Sequence, residues 1–276
     1  MAQYKEQFER DGYILIKDVF SQEEVESFRE GCRLNAEGDA LCRPQFQNVP
    51  LSPKVVSVVK DLLGEDISYP ALTVTWTRKG YHKVPRGFHS DFVGIDDMQG
   101  EYPIINVAVY LQDYSKASDG LKVIPGSHTR PCVSVHNFRE AIKSLLKGNW
   151  GFDFSHSVNI PSTERDLVIW YMRTHHSGRY KRLKWFPTLS LSPLFENLLP
   201  SWMCMPVPAE RDAVVMKFAR SGQVFDEYLK RQTAKTRRSE HYRNNACLET
   251  EEKKELARRV GVTLRNDGYH TLSETA

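Results

Sequence analysis

An α+β fold with an all-β centre is predicted by three features of this 276-residue sequence. Helical periodicity occurs near the beginning and the end, and β-branched alternating runs crowd the middle. No internal repeat or low-complexity tract divides the chain. All-β cores often reach this length as one unit, so residues 1–276 are read as a single domain.

Tyr4 to Arg10 reads as a short helix stopped by Gly12, and Tyr13-Ile14-Leu15-Ile16 as a strand. Ser21-Gln22-Glu23-Glu24 is a capping box, with Ser21 as N-cap and Glu24 reaching back from N3. The helix it opens runs to about Cys32 and buries Val25 and Phe28. Ser52-Pro53 starts another, because proline at the first helical position gives up only an orphan amide. Val55, Val56, Val59, Leu62 and Leu63 keep helical spacing, and Gly64 ends it. Leu72 to Thr77 alternates as a strand and leads into a basic loop with Lys79, His82, Lys83 and Arg86. Further strands are expected at Phe88–Phe92, Ile104–Leu111, Leu121–Ile124, Asp166–Tyr171 and Arg182–Leu191. Leu229 to Arg243 is a basic stretch, and Thr250 to Val260 a charged helix stopped by Gly261.

Hydrophobic residues at 40% and charged residues at 26% suit a globular protein with a sizeable core. The 5 cysteines are odd in number and scattered without a CxxC pair, which predicts reduced thiols and a cytoplasmic setting. Met1 to Arg10 is too polar for a signal peptide or anchor, and no run of about 18 apolar residues exists, so no membrane partner is expected. A net charge of +3 does not by itself indicate nucleic acid. The basic stretch from Leu229 lacks interleaved aromatics and reads as a solvated helix face.

Phe88-His89-Ser90-Asp91-Phe92 carries the chemistry. Residues two apart on an extended strand point the same way, so His89 and Asp91 can converge on one point. An imidazole and a carboxylate so placed are two thirds of the two-histidine, one-carboxylate set that holds non-haem iron(II). Alone the pair is a weak signal, since His-x-Asp occurs by chance on surface strands. The third ligand should come from a later strand, and His175 and His176 end the one that begins at Asp166. Adjacent strand residues face opposite ways, so only one of the two can point inward.

Four segments resemble the phytanoyl-CoA dioxygenase-like family of iron(II)/2-oxoglutarate oxygenases. Phe8-Glu9-Arg10-Asp11-Gly12-Tyr13 with Val19-Phe20-Ser21 is similar to that family's opening, and Phe88-His89-Ser90-Asp91 to its metal-binding step. Asp119-Gly120-Leu121-Lys122-Val123-Ile124-Pro125-Gly126-Ser127-His128 is the most specific match, although it has one residue fewer after the glycine. Asp166 to His176 is similar to the segment bearing the distal histidine, in a register that selects His176. The resemblance spans roughly residues 8–190, leaving about 192–276 as a carboxy-terminal helical extension.

The resemblance implies a double-stranded β-helix, the jelly roll of cupins, braced by amino- and carboxy-terminal helices. It implies that His89, Asp91 and His176 hold Fe(II), with 2-oxoglutarate and O2 as co-substrates and succinate and CO2 as products. It also implies an arginine for the far carboxylate of 2-oxoglutarate, which a guanidinium binds best. The family's usual spacing lands on Pro187, so Arg182 is taken first, with Arg179 and Lys184 behind it. His128 is read as capping a turn, Asp96 and Asp97 as a solvated loop, and Trp76, Trp170 and Tyr110 as strand residues that could line the site. Related halogenases lack the carboxylate, so Asp91 favours a hydroxylase of a small molecule. The basic cluster Lys79, His82, Lys83 and Arg86, read as part of the cleft mouth, favours an anionic one; its alternative reading is a solvated loop. A silent jelly-roll binding protein is the alternative, and a nucleic-acid demethylase ranks last. Substrate and oligomeric state are not specified by the sequence.

Overall fold

Strand alternation gives the large sheet two faces, and each face belongs to a different core. The computed structural model describes residues 2–34, 39–70, 74–79, 87–91, 103–131, 138–146, 157–178, 181–196, 198–236 and 250–265. The elements run α1 (Ala2–Asp11), β1 (Tyr13–Ile16), α2 (Gln22–Arg33), α3 (Pro53–Leu63), β2 (Ile67–Tyr69), β3 (Val74–Lys79), β4 (Ile104–Tyr110) and β5 (Leu121–Val123). They continue with α4 (Phe138–Leu146), β6 (Val158–Asn159), β7 (Leu167–Tyr171), β8 (His176–Gly178), α5 (Pro193–Glu196), β9 (Glu210–Arg220), α6 (Gln223–Thr236), α7 (Glu251–Val260) and β10 (Val262–Leu264).

The large sheet has the order β1-β7-β4-β9-β2-β10, with β3 also paired to β9. The small sheet has the order β6-β5-β8. On β4, Ile105, Val107 and Val109 face the helices; on β7 Leu167 and Ile169 do so, and on β9 Val214, Met216 and Phe218. These pack with Phe8, Val25, Phe28, Val55 and Val59 of α1 to α3. Each such side chain, fully buried, contributes roughly 1.5–3 kcal/mol, so this layer fixes the helices against the sheet. The opposite parity, Ala108 and Tyr110, Val168 and Trp170, Ala213 and Val215, meets Leu121 and Val123 of the small sheet. Two sheets packed over one interior, with helices braced outside, form the expected jelly roll.

The local signals of the amino-terminal part are realised. The Glu24 amide donates to Ser21 Oγ at 3.2 Å, and the Ser21 amide to Glu24 Oε2 at 2.8 Å. Ser52 caps α3 and Thr250 caps α7. Gly12 has a φ of +77°, and a Cβ there would collide with the His128 ring, so glycine is needed twice over.

Four expectations are corrected. Phe88 to Asp91 forms no strand; His89 makes an isolated bridge to His176. Arg182 to Leu191 is a run of turns with one bridge, Leu183 to Cys204, because Pro187 has no amide for a ladder. The region after 192 is not purely helical, since β9 lies centrally in the large sheet. Its apolar run is bounded by charged residues, and two of them, Arg211 and Lys217, fall on the inward parity. Finally, Cys42 is disulfide-bonded, while Cys32 and Cys204 are free. Spacing along the chain did not reveal that proximity, and the expectation that all five thiols are reduced does not hold at Cys42.

His82, Lys83, Arg86, Phe92, Asp96, Asp97, Arg179, Arg237, Arg238 and Arg243 lie outside the described residues. Among the described residues, no helix is long and apolar enough to cross a membrane.

Candidate metal centre

His89 and His176 exchange both backbone hydrogen bonds, at 2.9 and 2.8 Å, which sets their side chains on one face. The rings lie 4.3 Å apart between centroids. The Asp91 amide donates to Met172 O at 2.9 Å, stitching the His-x-Asp step to the end of β7. Asp91 Oδ1 then sits 3.8 Å from His89 Nε2 and 3.7 Å from His176 Nε2. One ligand atom from each of the three residues falls within 4.8 Å of the others. The Asp91 and His89 side chains keep 31% and 24% of their surface accessible and His176 only 7%, so the cluster is open on one side.

The second atoms of these side chains are used to orient them. His176 Nδ1 lies 2.9 Å from Thr174 O, so it carries the proton and leaves the Nε2 lone pair for a metal. Asn106 Nδ2 donates to Asp91 Oδ2 at 2.9 Å, which leaves Oδ1 turned to the histidines. Asn106 Oδ1 in turn accepts from Lys217 Nζ at 2.9 Å. Burial pushes the Asp91 carboxyl up, but His176, Lys217, His89 and the Asn106 bond together hold it below the usual carboxylate value. An ionised carboxylate facing two imidazole nitrogens is the donor set of a divalent metal.

His175 points the other way, as alternation requires. Its Nε2 lies 2.9 Å from Pro131 O, and burial lowers its pKa to about 4. The Pro-Gly-Ser-His block has a positioning job. Ser127 Oγ accepts from the His175 amide at 2.8 Å, and the Ile124 amide donates to His175 O at 2.9 Å. Gly126, at φ +71°, allows the turn and donates to Asp11 O at 2.8 Å. His128 stacks on Tyr171 at 5.0 Å with Nε2 3.1 Å from Glu9 O, outside the metal cluster.

Arg182 spends its guanidinium on the backbone, donating to Tyr114 O, Ser115 O and Pro187 O at 2.9, 2.6 and 3.1 Å. Lys184 Nζ donates to Trp202 O at 2.9 Å. Arg211, at the start of β9, was missed by the sequence reading. It is 5% exposed, lies over the Tyr110 ring at 5.7 Å, and is flanked by Tyr114 and Asp119. Its Nη2 would stand 3.3 Å from a Cβ at Gly178, so the glycine of β8 leaves room for the guanidinium. Asn106 and Lys217 were missed too. The signal for all three was period-two alternation, which puts Asn106 in step with Tyr110, and Lys217 with Arg211, on inward faces.

No known family's sequence profile matches the chain. It is similar to ectoine dioxygenase of Nocardia farcinica, 25% identical over 205 residues covering 62% of this chain and 64% of that protein. The match therefore spans a little under two thirds of the relative's length. HygX from Streptomyces hygroscopicus, solved with iron bound, superposes with a TM-score of 0.53 at 16% identity, covering 79% of this chain and 87% of that one. EctD from S. alaskensis, solved with 2-oxoglutarate and 5-hydroxyectoine, superposes with a TM-score of 0.52 at 17% identity, covering 79% of this chain and 76% of that one. At such identities the likeness establishes the architecture, a jelly-roll core with flanking helices, and the site's chemistry rests on its own residues.

Proposed function

We propose that this protein is a non-haem Fe(II)/2-oxoglutarate-dependent dioxygenase that hydroxylates a small molecule. The observation that carries this reading is the convergence of His89 Nε2, Asp91 Oδ1 and His176 Nε2 on the open interior of a jelly roll. The neighbours solved with iron and with 2-oxoglutarate support it. Bound iron would couple oxidative decarboxylation of 2-oxoglutarate by O2 to oxygen insertion into the substrate, releasing succinate and CO2. Two imidazoles and one carboxylate offer three donors and leave the remaining positions for the co-substrates. The carboxylate at Asp91 occupies the place a halide would need, which favours hydroxylation over halogenation.

For the far carboxylate of 2-oxoglutarate we favour Arg211 over Arg182. The Arg182 donors already serve three carbonyls, whereas Arg211 lies on the inward parity of β9 among the Tyr110 and Tyr114 rings. A planar guanidinium there offers two parallel N–H donors to a carboxylate, and surrounding aromatic walls exclude water from the pair.

The test is 2-oxoglutarate consumption and succinate release by Fe(II)-loaded protein in air. The wild type should turn over and His89→Ala should not. Equal rates in the two would sink the proposal.

A further inference from the structure

We infer that Lys217 and Trp170 bind a carboxylate of the substrate beside the metal ligands, so that the molecules oxidised here are small carboxylic acids. This deepens the oxygenase reading and rests on it. Lys217 of β9 and Trp170 of β7 are the direct cross-strand partners of Asn106 on β4. The three side chains therefore form a row across the inward face of the large sheet. Asn106 ends that row at Asp91.

Donors exceed acceptors in this row. The Lys217 ammonium has three N–H groups and makes one hydrogen bond among the described residues, to Asn106 Oδ1. Its charged neighbour is Asp91, which is already held by Asn106, and Lys217 makes no ion pair among the described residues. Trp170 is 3% exposed, and its Nε1–H has no acceptor among the described residues. Its ring lies 5.6 Å from that of His176. A half-buried ammonium with two unspent donors, in one row with an unsatisfied indole N–H on the other side of Asn106, carries a deficit that an anion from outside would repair. One positive charge and three donor directions, two of them on the ammonium, match a carboxylate monoanion. A phosphate dianion would meet too little positive charge so close to Asp91.

Lys217 is separate from the 2-oxoglutarate anchor. Arg211 and Lys217 share one face of β9 but stand six residues apart, about 20 Å of strand at ~3.3 Å per residue. The two cations therefore stand at different levels of the sheet. The ammonium is instead two hydrogen bonds from Asp91, so the anion it holds lies next to the position where oxidation occurs.

The assignment is tested on protein loaded with Fe(II) and 2-oxoglutarate under anaerobic conditions. The probes are the common L-amino acids, straight-chain monocarboxylic acids, benzoic acid and cinnamic acid, each against its own carboxamide. The readouts are perturbation of the visible iron–2-oxoglutarate band, then 2-oxoglutarate consumption in air. At least one acid should perturb the band and accelerate turnover, with its amide weaker by roughly 30-fold or more. Lys217→Met should reduce that acid to the level of its amide, and Lys217→Arg should recover part of the preference. The wild-type comparison stands even if a variant fails to fold. The assignment is overturned if no acid perturbs the band, if amides bind as well as acids, or if Lys217→Met keeps the preference. It is also overturned if Lys217→Met weakens 2-oxoglutarate itself instead. If 2-oxoglutarate produces no band in the wild type, the oxygenase reading fails first and this assignment falls with it.

Discussion

Asn106 Nδ2 donates to Asp91 Oδ2 at 2.9 Å, and this one bond decides which carboxylate oxygen faces the two histidines. Removing the amide leaves the Asp91 carboxylate free to rotate. Groups that orient metal ligands typically cost 10–100-fold in affinity when mutated. Asn106→Ala should therefore lower Fe(II) or Co(II) affinity by about 10–100-fold, read by anaerobic titration, with the fold retained by circular dichroism. Unchanged affinity would show that Asp91 is held by backbone alone.

The two adjacent histidines should separate cleanly. His176→Gln should lose metal binding, because its Nε2 is one of the three converging atoms. His175→Gln should keep it, because His175 Nε2 instead contacts Pro131 O and glutamine can reach the same carbonyl. Metal content after dialysis, measured for both variants, decides this; the reverse pattern would place the ligand at His175.

Arg211 and Arg182 make opposite predictions. Arg211→Ala should raise the 2-oxoglutarate Kd by about 100-fold, in line with losing one partner of a buried charge pair. Arg182→Ala should leave that Kd nearly unchanged and lower the melting temperature, since its three bonds tie residues 114–115 to 182–187. Titration of the charge-transfer band on both variants discriminates them.

Lys122 and Glu196 form an ion pair that is 0% and 2% exposed, joining β5 to α5. Taking one partner away strands a buried charge, so Glu196→Gln should cost about 3–5 kcal/mol. Replacing both with apolar residues, Lys122→Met with Glu196→Leu, should be close to neutral by the same principle. Urea unfolding of the single and double variants measures the difference. Equal loss in both would mean that the pair itself, and not the avoided burial, stabilises the fold.

Asp166 accepts from the Thr163 amide at 2.7 Å, Lys17 Nζ at 2.8 Å and the Asp18 amide at 3.1 Å. Burial pushes its carboxyl up, but these bonds hold it below its ordinary 3.8. A depressed folded-state value means that the stabilisation is complete above pH 3.8 and is lost as pH falls through the folded-state value. Asp166→Asn should lower stability at neutral pH and flatten its decline below about pH 4. Thermal melts of both proteins from pH 3 to 7 are the check, and parallel curves would assign the acid transition to other groups.

Local chemistry was legible where it depends on neighbours in sequence. The Ser21 capping box, Pro53 at the start of α3 and Gly261 at the end of α7 each act within one helical turn, and each is realised. His89 and Asp91 were legible for the same reason, being two residues apart. His176 emerged from a longer segment, and alternation explains why it and not His175 turns inward.

Residues whose roles depend on partners distant in sequence were not legible. Arg211 meets Tyr110, Tyr114 and Gly178 only because β9 folds back beside β4 after the turns of 181–209. Arg182 was taken for its place at the start of an expected strand, since the spacing itself fell on Pro187, and its guanidinium donates to three carbonyls that only the folded chain brings near it. The Cys42 disulfide was likewise invisible in the spacing of five scattered cysteines. The sequence by itself determined the capped helices, the strands of clear alternation and the types of the candidate metal ligands, through capping, periodicity and i, i+2 spacing. The tertiary structure alone decided which charges are spent and which face the interior, because hydrogen-bond saturation depends on strands paired across more than a hundred residues, as in Asn106 and Lys217.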